Sequence, residues 1–178
     1  MSRPKAKRAP LSNASVRLAT PEDAADISRI LLEAFTVIRE HYNAEAFAVV
    51  TPKAEVIESR FAEGPLWVAE VDGRVVGTVS LTTEPEGLYM RSMAVSPTAQ
   101  KLGIGKMLLD ALHEHAAGTG LTRIFLYTLP FQSGARAMYE NHGYRWVRDT
   151  TADEWYGVPG LEMEKFVGKE FVGKENVA

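Results

Sequence analysis

The sequence contains no cysteine among its 178 residues. This absence excludes disulfide bonds, thiolate metal ligands and a cysteine nucleophile, and it agrees with a reducing, cytoplasmic location. Long apolar runs are also missing, because no stretch approaches the roughly 20 residues that a membrane-spanning helix needs. The N-terminus is basic but lacks the apolar core of a signal peptide. Together these features predict a globular protein with no membrane partner.

A strong excess of one charge is absent as well, since 20 Lys and Arg against 23 Asp and Glu give a net charge of −3. No basic stripe with interleaved aromatic residues occurs in the body of the chain, so nucleic-acid binding is not expected. We expect residues 1–15 to form a disordered basic arm and residues 16–167 to form one domain. Residues 168–178, where the repeated FVGKE sequence ends, are expected to be a tail.

Helix caps and turn residues divide the domain into a clear order of elements. The Thr-Pro pairs at 20–21 and 51–52 predict two helix starts, and the Asp-Gly pair at 72–73 predicts a hairpin. The predicted order is a strand, two helices, three strands, a helix, a strand, a helix and two strands. The predicted strands are 16–18, 66–71, 74–82, 88–95, 122–128, 144–149 and 161–167. This order predicts an α/β domain with a mixed sheet.

The segment QKLGIG, residues 100–105, connects a predicted strand to a predicted helix. Gly103 and Gly105 have no Cβ, so a large anion can approach the backbone there. The free N–H groups and partial positive charge of a helix start favour such an anion. The segment lacks the Gly-Lys-Ser/Thr ending of a nucleoside triphosphate loop and the third glycine of a dinucleotide motif. Taken alone, it is equally compatible with a plain strand-to-helix turn.

With the preceding strand LYMRSMAV, this segment resembles the acyl-CoA-binding core of the GNAT family of N-acetyltransferases, whose motif is Gln/Arg-x-x-Gly-x-Gly/Ala. A second block, ARAMYENHGY at 135–144, resembles the family's short helix that carries Ala and Tyr and ends in Gly-aromatic. The resemblance implies a single-domain GNAT-like α/β fold with a mixed, mostly antiparallel central sheet flanked by about four helices. It also implies that strands 88–95 and 122–128 splay apart at the acyl-CoA site.

The resemblance implies acetyl-CoA as the co-substrate, with its pyrophosphate in the glycine turn and its pantetheine arm along the preceding strand. Gln132 stands where relatives often carry an Asn that contacts this arm. The residues that the resemblance assigns to cofactor binding are Met93, Ala94, Val95, Gln100, Lys101, Leu102, Gly103, Ile104, Gly105, Lys106, Gln132, Ala135 and Tyr139.

Two catalytic roles follow from the same resemblance. Tyr139 matches the tyrosine that protonates the departing thiolate, although a tyrosine that only packs on the sheet is the alternative. A backbone N–H near Val95 would be the oxyanion donor. The general base stays open, because Tyr89 stands where some relatives carry a glutamate. The candidates are Glu86 and Glu84, acting through water, and His41 and Glu45.

The implied function is acetyl transfer from acetyl-CoA to a primary amine of a small molecule or peptide, by direct attack in a ternary complex. The alternative is a catalytically idle acyl-CoA sensor or regulatory module, which Tyr89 at the possible base position favours. Region 36–50 lacks a dense acidic patch, which argues mildly against polycationic acceptors.

Two other features have less weight. His113 and His115 lie two apart on a predicted helix and point to different faces, so no metal site is expected. The loop at 155–157 could cover the acceptor site or pack in a homodimer, which is a common assembly in the family.

Overall fold

The computed structural model describes residues 13–167. The predicted tail at 168–178 and most of the predicted basic arm lie outside these residues. The first strand, β1 (Ala14–Leu18), begins two residues earlier than expected. Ala14 and Ser15, which we assigned to the arm, pair with Val71 and Glu70. Ala14 and Ser15 therefore belong to the sheet, and the arm predicted for the preceding residues stays a prediction.

Within the described residues the chain forms five α-helices, one more than the sequence suggested. They are α1 (Ala24–Thr36), α2 (Ala44–Val50), α3 (Ala54–Arg60), α4 (Ile104–Ala117) and α5 (Ser133–Asn141). The additional helix is α2, which begins because the Asn43 side chain accepts a hydrogen bond from the Ala46 N–H. Among the helices of residues 13–167, none has the length and apolar character that crossing a membrane requires.

Six further strands complete a seven-stranded sheet. They are β2 (Leu66–Val71), β3 (Arg74–Glu84), β4 (Gly87–Val95), β5 (Arg123–Thr128), β6 (Arg145–Thr150) and β7 (Gly160–Phe166). Their spatial order is β1-β2-β3-β4-β5-β7-β6. Every neighbouring pair in this sheet is antiparallel except β4 and β5. The predicted fold class, a mixed and mostly antiparallel sheet with flanking helices, is confirmed.

The parallel strands β4 and β5 pair along only a short stretch of their length. The partners are Leu88 with Ile124 and Tyr89 with Phe125, after which the two strands separate. The opposite edge of β4 is also irregular, because the β3–β4 register shifts between Thr78 and Ser80. Ser92, in the bulged part of β4, has a φ of +55°. A bulge of this kind bends a strand and increases its twist, so it directs the end of β4 away from β5.

Two helices cover opposite faces of the sheet. The buried face of α4 packs on one face, where Trp67 and Ala69 of β2 point. The buried face of α1 packs on the other, against Val68 and Val75. Because side chains alternate along a strand, β2 contributes to both cores. The buried α4 side chains are Ile104, Leu108, Leu109, Leu112 and Ala116.

A charged network stabilises the half of the sheet beyond the β4–β5 junction. Glu162 and Glu164 of β7 are buried, and Arg123 of β5 donates to both at 2.7 Å. Arg145 and Arg148 of β6 bind the same two carboxylates. Burial alone would raise the pKa of the Glu164 carboxyl, but the hydrogen bonds from Arg123 and Arg145 outweigh burial and hold it below its ordinary value.

Replacement of Arg123 should therefore destabilise the fold. Arg123→Met leaves two buried carboxylates without their central cation. We expect it to lower the free energy of unfolding by roughly 2 kcal/mol or more. This loss is smaller than for a fully buried ion pair, because the Arg123 side chain is partly exposed. Urea unfolding measures this loss. The control is Arg136→Met, which removes an exposed pair with Glu140 on α5 and should cost less than about 1 kcal/mol. Equal losses in the two variants would contradict the role assigned to the network.

Candidate active site

A cavity of about 730 Å³ opens where β4 and β5 separate. Its walls include β4 from Tyr89 to Met93 and β5 from Leu126 to Thr128, and side chains at the start and middle of α5 line it as well. Cavities that bind small molecules in proteins have volumes of this order. Since β4 and β5 have no ladder partner across the opening, their facing backbone groups are available to a ligand.

The glycine turn lies at the end of β4. A short 3-10 turn, Pro97–Ala99, leads through Lys101 (φ +63°) and Gly103 (φ +84°) into α4. A Cβ at Gly103 would meet no heavy atom within 4 Å, so the backbone there faces open space. A Cβ at Gly105 would lie 2.6 Å from the Met138 Sδ, so this glycine lets α4 pack on α5. The two glycines thus have different roles. Gly105 allows close helix packing, whereas Gly103 leaves the backbone N–H groups at the start of α4 accessible to a ligand.

The residues that the sequence assigned to cofactor binding fall into two groups along this path. Met93, Gln132, Ala135 and Tyr139 line the cavity. The remaining residues continue from the end of β4 through the turn into α4, namely Ala94, Val95, Gln100, Lys101, Leu102, Gly103, Ile104, Gly105 and Lys106. Gln132 accepts a hydrogen bond from the Thr128 hydroxyl at 3.0 Å, which leaves its amide N–H groups for other partners.

Tyr139 is nearly fully buried, at 6% exposure, and lines the cavity from α5. Its ring packs edge-on against Tyr144 at 5.7 Å between centroids. Its hydroxyl makes no hydrogen bond with any side chain or backbone group of residues 13–167. Burial, and to a smaller extent Tyr89, raises the pKa of Tyr139 above its ordinary value. The phenol therefore stays protonated at neutral pH and can donate a hydrogen bond.

The carboxylates that the sequence suggested as bases lie away from the cavity. Glu84, Glu86 and Glu45 are exposed, and none of them is among the residues that line it. His41 also lies outside the lining and stacks on Phe131 at 3.6 Å between centroids. Their catalytic roles stay predictions. Tyr89 does line the cavity, and burial raises its pKa to about 12, which makes it an unsuitable base at neutral pH.

Two carboxylates that line the cavity were missed by the sequence analysis. Asp153 and Glu154 lie on a 3-10 turn between β6 and β7. Glu154 accepts a hydrogen bond from the Thr151 N–H and pairs with Arg148, and these contacts lower its pKa. A hydrogen bond with the Thr151 side chain lowers the pKa of Asp153. The spacing Thr-x-x-Glu at 151–154 is the signal that could have identified this turn.

Two loops form the far wall of the cavity. Tyr42, after α1, packs edge-on against Trp155 at 6.2 Å between centroids. The Asn43 side-chain amide donates to the Tyr156 carbonyl. Trp155 and Tyr156 of the loop at 155–157 thus line the cavity, and the first role considered for this loop, covering an acceptor, stays a prediction. The other, a dimer contact, stays a prediction.

A second cavity, of about 820 Å³, lies between α1 and the β2–β3 hairpin. It meets the glycine turn at Ala99 and Leu102 but does not include Tyr139. Three of its charged side chains have partners nearby, since Arg29 pairs with Glu33, Glu33 accepts from the Ser96 hydroxyl and Asp72 accepts from the Asn13 side-chain amide. We therefore assign the chemistry to the cavity between β4 and β5.

The two histidines of α4 have separate structural partners. His113 shares a 2.9 Å hydrogen bond with the Tyr144 hydroxyl, and His115 packs edge-on against Trp67. Residues 13–167 contain no group of three or more His, Asp or Glu side chains arranged to hold a metal ion.

This arrangement agrees with comparisons with known proteins. Residues 25–144, more than half of the chain, match the family model described as the acetyltransferase (GNAT) family. The chain belongs to this family, whose members use acetyl-CoA as co-substrate. The resemblance inferred from the glycine turn and the Tyr139 block is confirmed.

The sequence similarity to two curated relatives is low and covers less than half of this chain. The chain is 34% identical over 79 residues to the IAA acetyltransferase of Azospirillum brasilense, covering 43% of this chain and 52% of that one. It is 33% identical over 82 residues to the probable N-acetyltransferase camello of Xenopus tropicalis, covering 44% and 37%. The matches thus span about half or less of these relatives' lengths. The PaiA N-acetyltransferase of Thermoplasma acidophilum, solved in complex with coenzyme A, has the same fold, with a TM-score of 0.72, 18% identity and coverage of 86% and 99%.

The contact between the two loops can be tested with a matched pair of variants at Asn43. Asn43→Asp keeps the oxygen that caps α2 but loses the N–H that binds the Tyr156 carbonyl, whereas Asn43→Ala loses both. We expect faster amide hydrogen exchange in residues 152–157 in both variants, and faster exchange in α2 in Asn43→Ala alone. Unchanged exchange of residues 152–157 in both variants would contradict the proposed closure of the cavity by this contact.

Proposed function

We propose that this chain is an acetyl-CoA-dependent N-acetyltransferase that acetylates a primary amine of a small molecule or peptide. One observation supports this most strongly. The buried Tyr139, whose hydroxyl has no partner in residues 13–167, lines the same cavity as the unpaired edges of β4 and β5. A bound acyl group and a proton donor can therefore meet in one cavity.

The groups along this path suit acetyl-CoA. The Gly103 backbone faces open space at a helix N-terminus, which suits a pyrophosphate. The edge of β4 near Met93, Ala94 and Val95 can pair with an amide-bearing arm, as an added strand would. The amide of Gln132 faces the same cavity. The names of the curated relatives, which are acetyltransferases, and the coenzyme A complex of the PaiA neighbour support the same assignment.

Acetyl-CoA supplies an activated thioester that an amine can attack. The protein's part is to hold and polarise the groups around it. We assign the donor to the developing oxyanion to a backbone N–H near Val95, as the family resemblance implies. We assign Tyr139 as the group that gives its phenolic proton to the leaving thiolate, and the proton that the attacking amine loses restores the phenol, so no net proton is consumed. Burial raises the pKa of Tyr139 and keeps the phenol protonated at neutral pH before the transfer. Because the sequence contains no cysteine, a thiol acyl-enzyme cannot form, and we propose direct transfer in a ternary complex.

Binding of acyl-CoA without turnover is the second candidate function. The observation that favours it is Tyr89, which occupies the possible base position and has a pKa raised to about 12. Tyr89 cannot take a proton from an ammonium group at neutral pH. Measured thiol release with an amine acceptor separates the two functions, because a sensor would bind acetyl-CoA without releasing the thiol.

The role of Tyr139 is tested by Tyr139→Phe. We expect kcat to fall by about 100-fold or more, because the proton donor is lost, while the dissociation constant of acetyl-CoA stays within about twofold. Tyr144→Phe is the matched control, since this buried tyrosine contacts Tyr139 but does not line the cavity. It should lower stability through lost hydrogen bonding to His113 and leave kcat nearly unchanged. Equal turnover in Tyr139→Phe and the wild type would remove Tyr139 as the acid.

The glycine turn is tested by a charge change at Gly103. Asn and Asp are the residues that best tolerate a positive φ, so Gly103→Asn and Gly103→Asp should both fold. Acetyl-CoA at 100 times its dissociation constant should stabilise the wild type by about 2.7 kcal/mol in thermal unfolding. We expect Gly103→Asn to keep most of this shift and Gly103→Asp to lose it, because a carboxylate repels the pyrophosphate. A full shift in Gly103→Asp would contradict binding at the turn.

A further inference from the structure

Arg60, the last residue of α3, contributes to the wall of the cavity between β4 and β5. Its Nη1 donates to the Ser92 hydroxyl at 3.1 Å, which holds the guanidinium at the bulge of β4. Within residues 13–167 no carboxylate forms an ion pair with it, and its other N–H groups make no hydrogen bond. A guanidinium has five N–H donors, so most of those of Arg60 can bind a ligand.

A second guanidinium group lies beside Arg60 at this end of the cavity. Arg91 lines the cavity beside it and is bound to Glu63. The Arg91 Nε is buried and has no hydrogen-bond partner among the described residues. Burial, followed by the charge of Arg91, lowers the pKa of Arg60, whereas Glu63 opposes this shift. Glu63 neutralises Arg91, and the carboxylates of Asp153 and Glu154 in the same wall are engaged by Thr151 and Arg148. The guanidinium of Arg60 therefore keeps its charge for an anionic group of a ligand.

Arg60 lies close to the part of β4 that is proposed to hold the acyl group. Its anchor, Ser92, directly precedes Met93, Ala94 and Val95, the residues proposed to hold the acyl-bearing arm. The remaining wall of the cavity is rich in aromatic side chains, namely Phe35, Tyr42, Tyr89, Tyr127, Trp155 and Tyr156. A ligand in this cavity would thus meet a cation at the bulge and apolar rings around it.

We propose that the amine acceptor also bears a carboxylate, which Arg60 binds, and an apolar group, which the aromatic wall covers. The acceptor class is therefore an apolar or aromatic amino acid. Arginine matches the two oxygens of a carboxylate through paired N–H donors, which gives both affinity and orientation. The contact between Asn43 and Tyr156 ties the two loops of the far wall together, which favours a free amino acid over a polypeptide. This inference rests on the proposed acetyltransferase function.

The test uses two acceptors that differ in the carboxylate, L-phenylalanine and 2-phenylethylamine, with thiol release from acetyl-CoA as the readout. In Arg60→Gln we expect the KM for L-phenylalanine to rise about tenfold or more, while the KM for 2-phenylethylamine changes little. Arg60→Lys keeps the charge but not the paired donors, so its KM for L-phenylalanine should be intermediate. Arg145→Gln, an exposed arginine on β6 outside the cavity lining, should leave both KM values unchanged.

The outcomes separate this inference from the proposed function. Cooperative unfolding and the thermal shift with acetyl-CoA are measured for each variant, so a folding defect is recognised. If Arg60→Gln changes the KM values for the two acceptors equally, or changes neither KM, Arg60 does not bind a carboxylate. The proposed acetyltransferase function is unaffected by that result. If Arg60→Gln does not fold, the same comparison made with Arg60→Lys decides. If the wild type acetylates neither acceptor while acetyl-CoA shifts its unfolding, the amino acid class is wrong. If acetyl-CoA causes no shift, the proposed function fails as well.

Discussion

The structure depends on an incomplete strand pairing in the middle of its sheet. Backbone N–H and C=O groups inside a sheet normally find partners in the next strand, and unpaired buried groups are costly. Here β4 and β5 pair at two positions, Leu88 with Ile124 and Tyr89 with Phe125, and then separate. The bulge at Ser92 directs the end of β4 away from β5, and the cavity and the unpaired edge of β4 follow from that separation. A ligand with its own amide groups is the natural partner for such an edge.

A sheet divided in this way needs packing that holds its two halves in place. The first half is held by apolar packing on both faces, with α4 on one and α1 on the other. The second half depends more on charge, since Arg123 and the arginines of β6 bind two buried carboxylates of β7. The close approach of α4 to α5 at Gly105 connects the halves beside the cavity. The opening can therefore persist without loss of the fold.

The residues proposed for the donor side of the site could be selected from the sequence because their signals are local. The glycine spacing at 103 and 105, and the helix that carries Tyr139, each lie within about ten consecutive residues. The acceptor side is assembled from distant segments. Arg60 belongs to a short helix, Tyr42 to a loop after α1, and Asp153 to a turn near the end of the domain. No local pattern shows that they face one cavity. The helix α2 was missed although its Asn43 cap is a local signal, because seven residues give a weak helical period.

The separate construction of the two sides has an evolutionary consequence. The donor groups are part of the central sheet and of the helix packing, so substitutions among them would disturb the fold. The acceptor wall consists of the ends of two loops, joined by the contact of Asn43 with the Tyr156 carbonyl and by the Tyr42–Trp155 ring contact. These loops have a small core of their own, made of Tyr42, Ala46, Leu129 and Val158, apart from the two cores on the faces of the sheet. The same scaffold can thus diverge toward new acceptors while its acyl donor stays fixed.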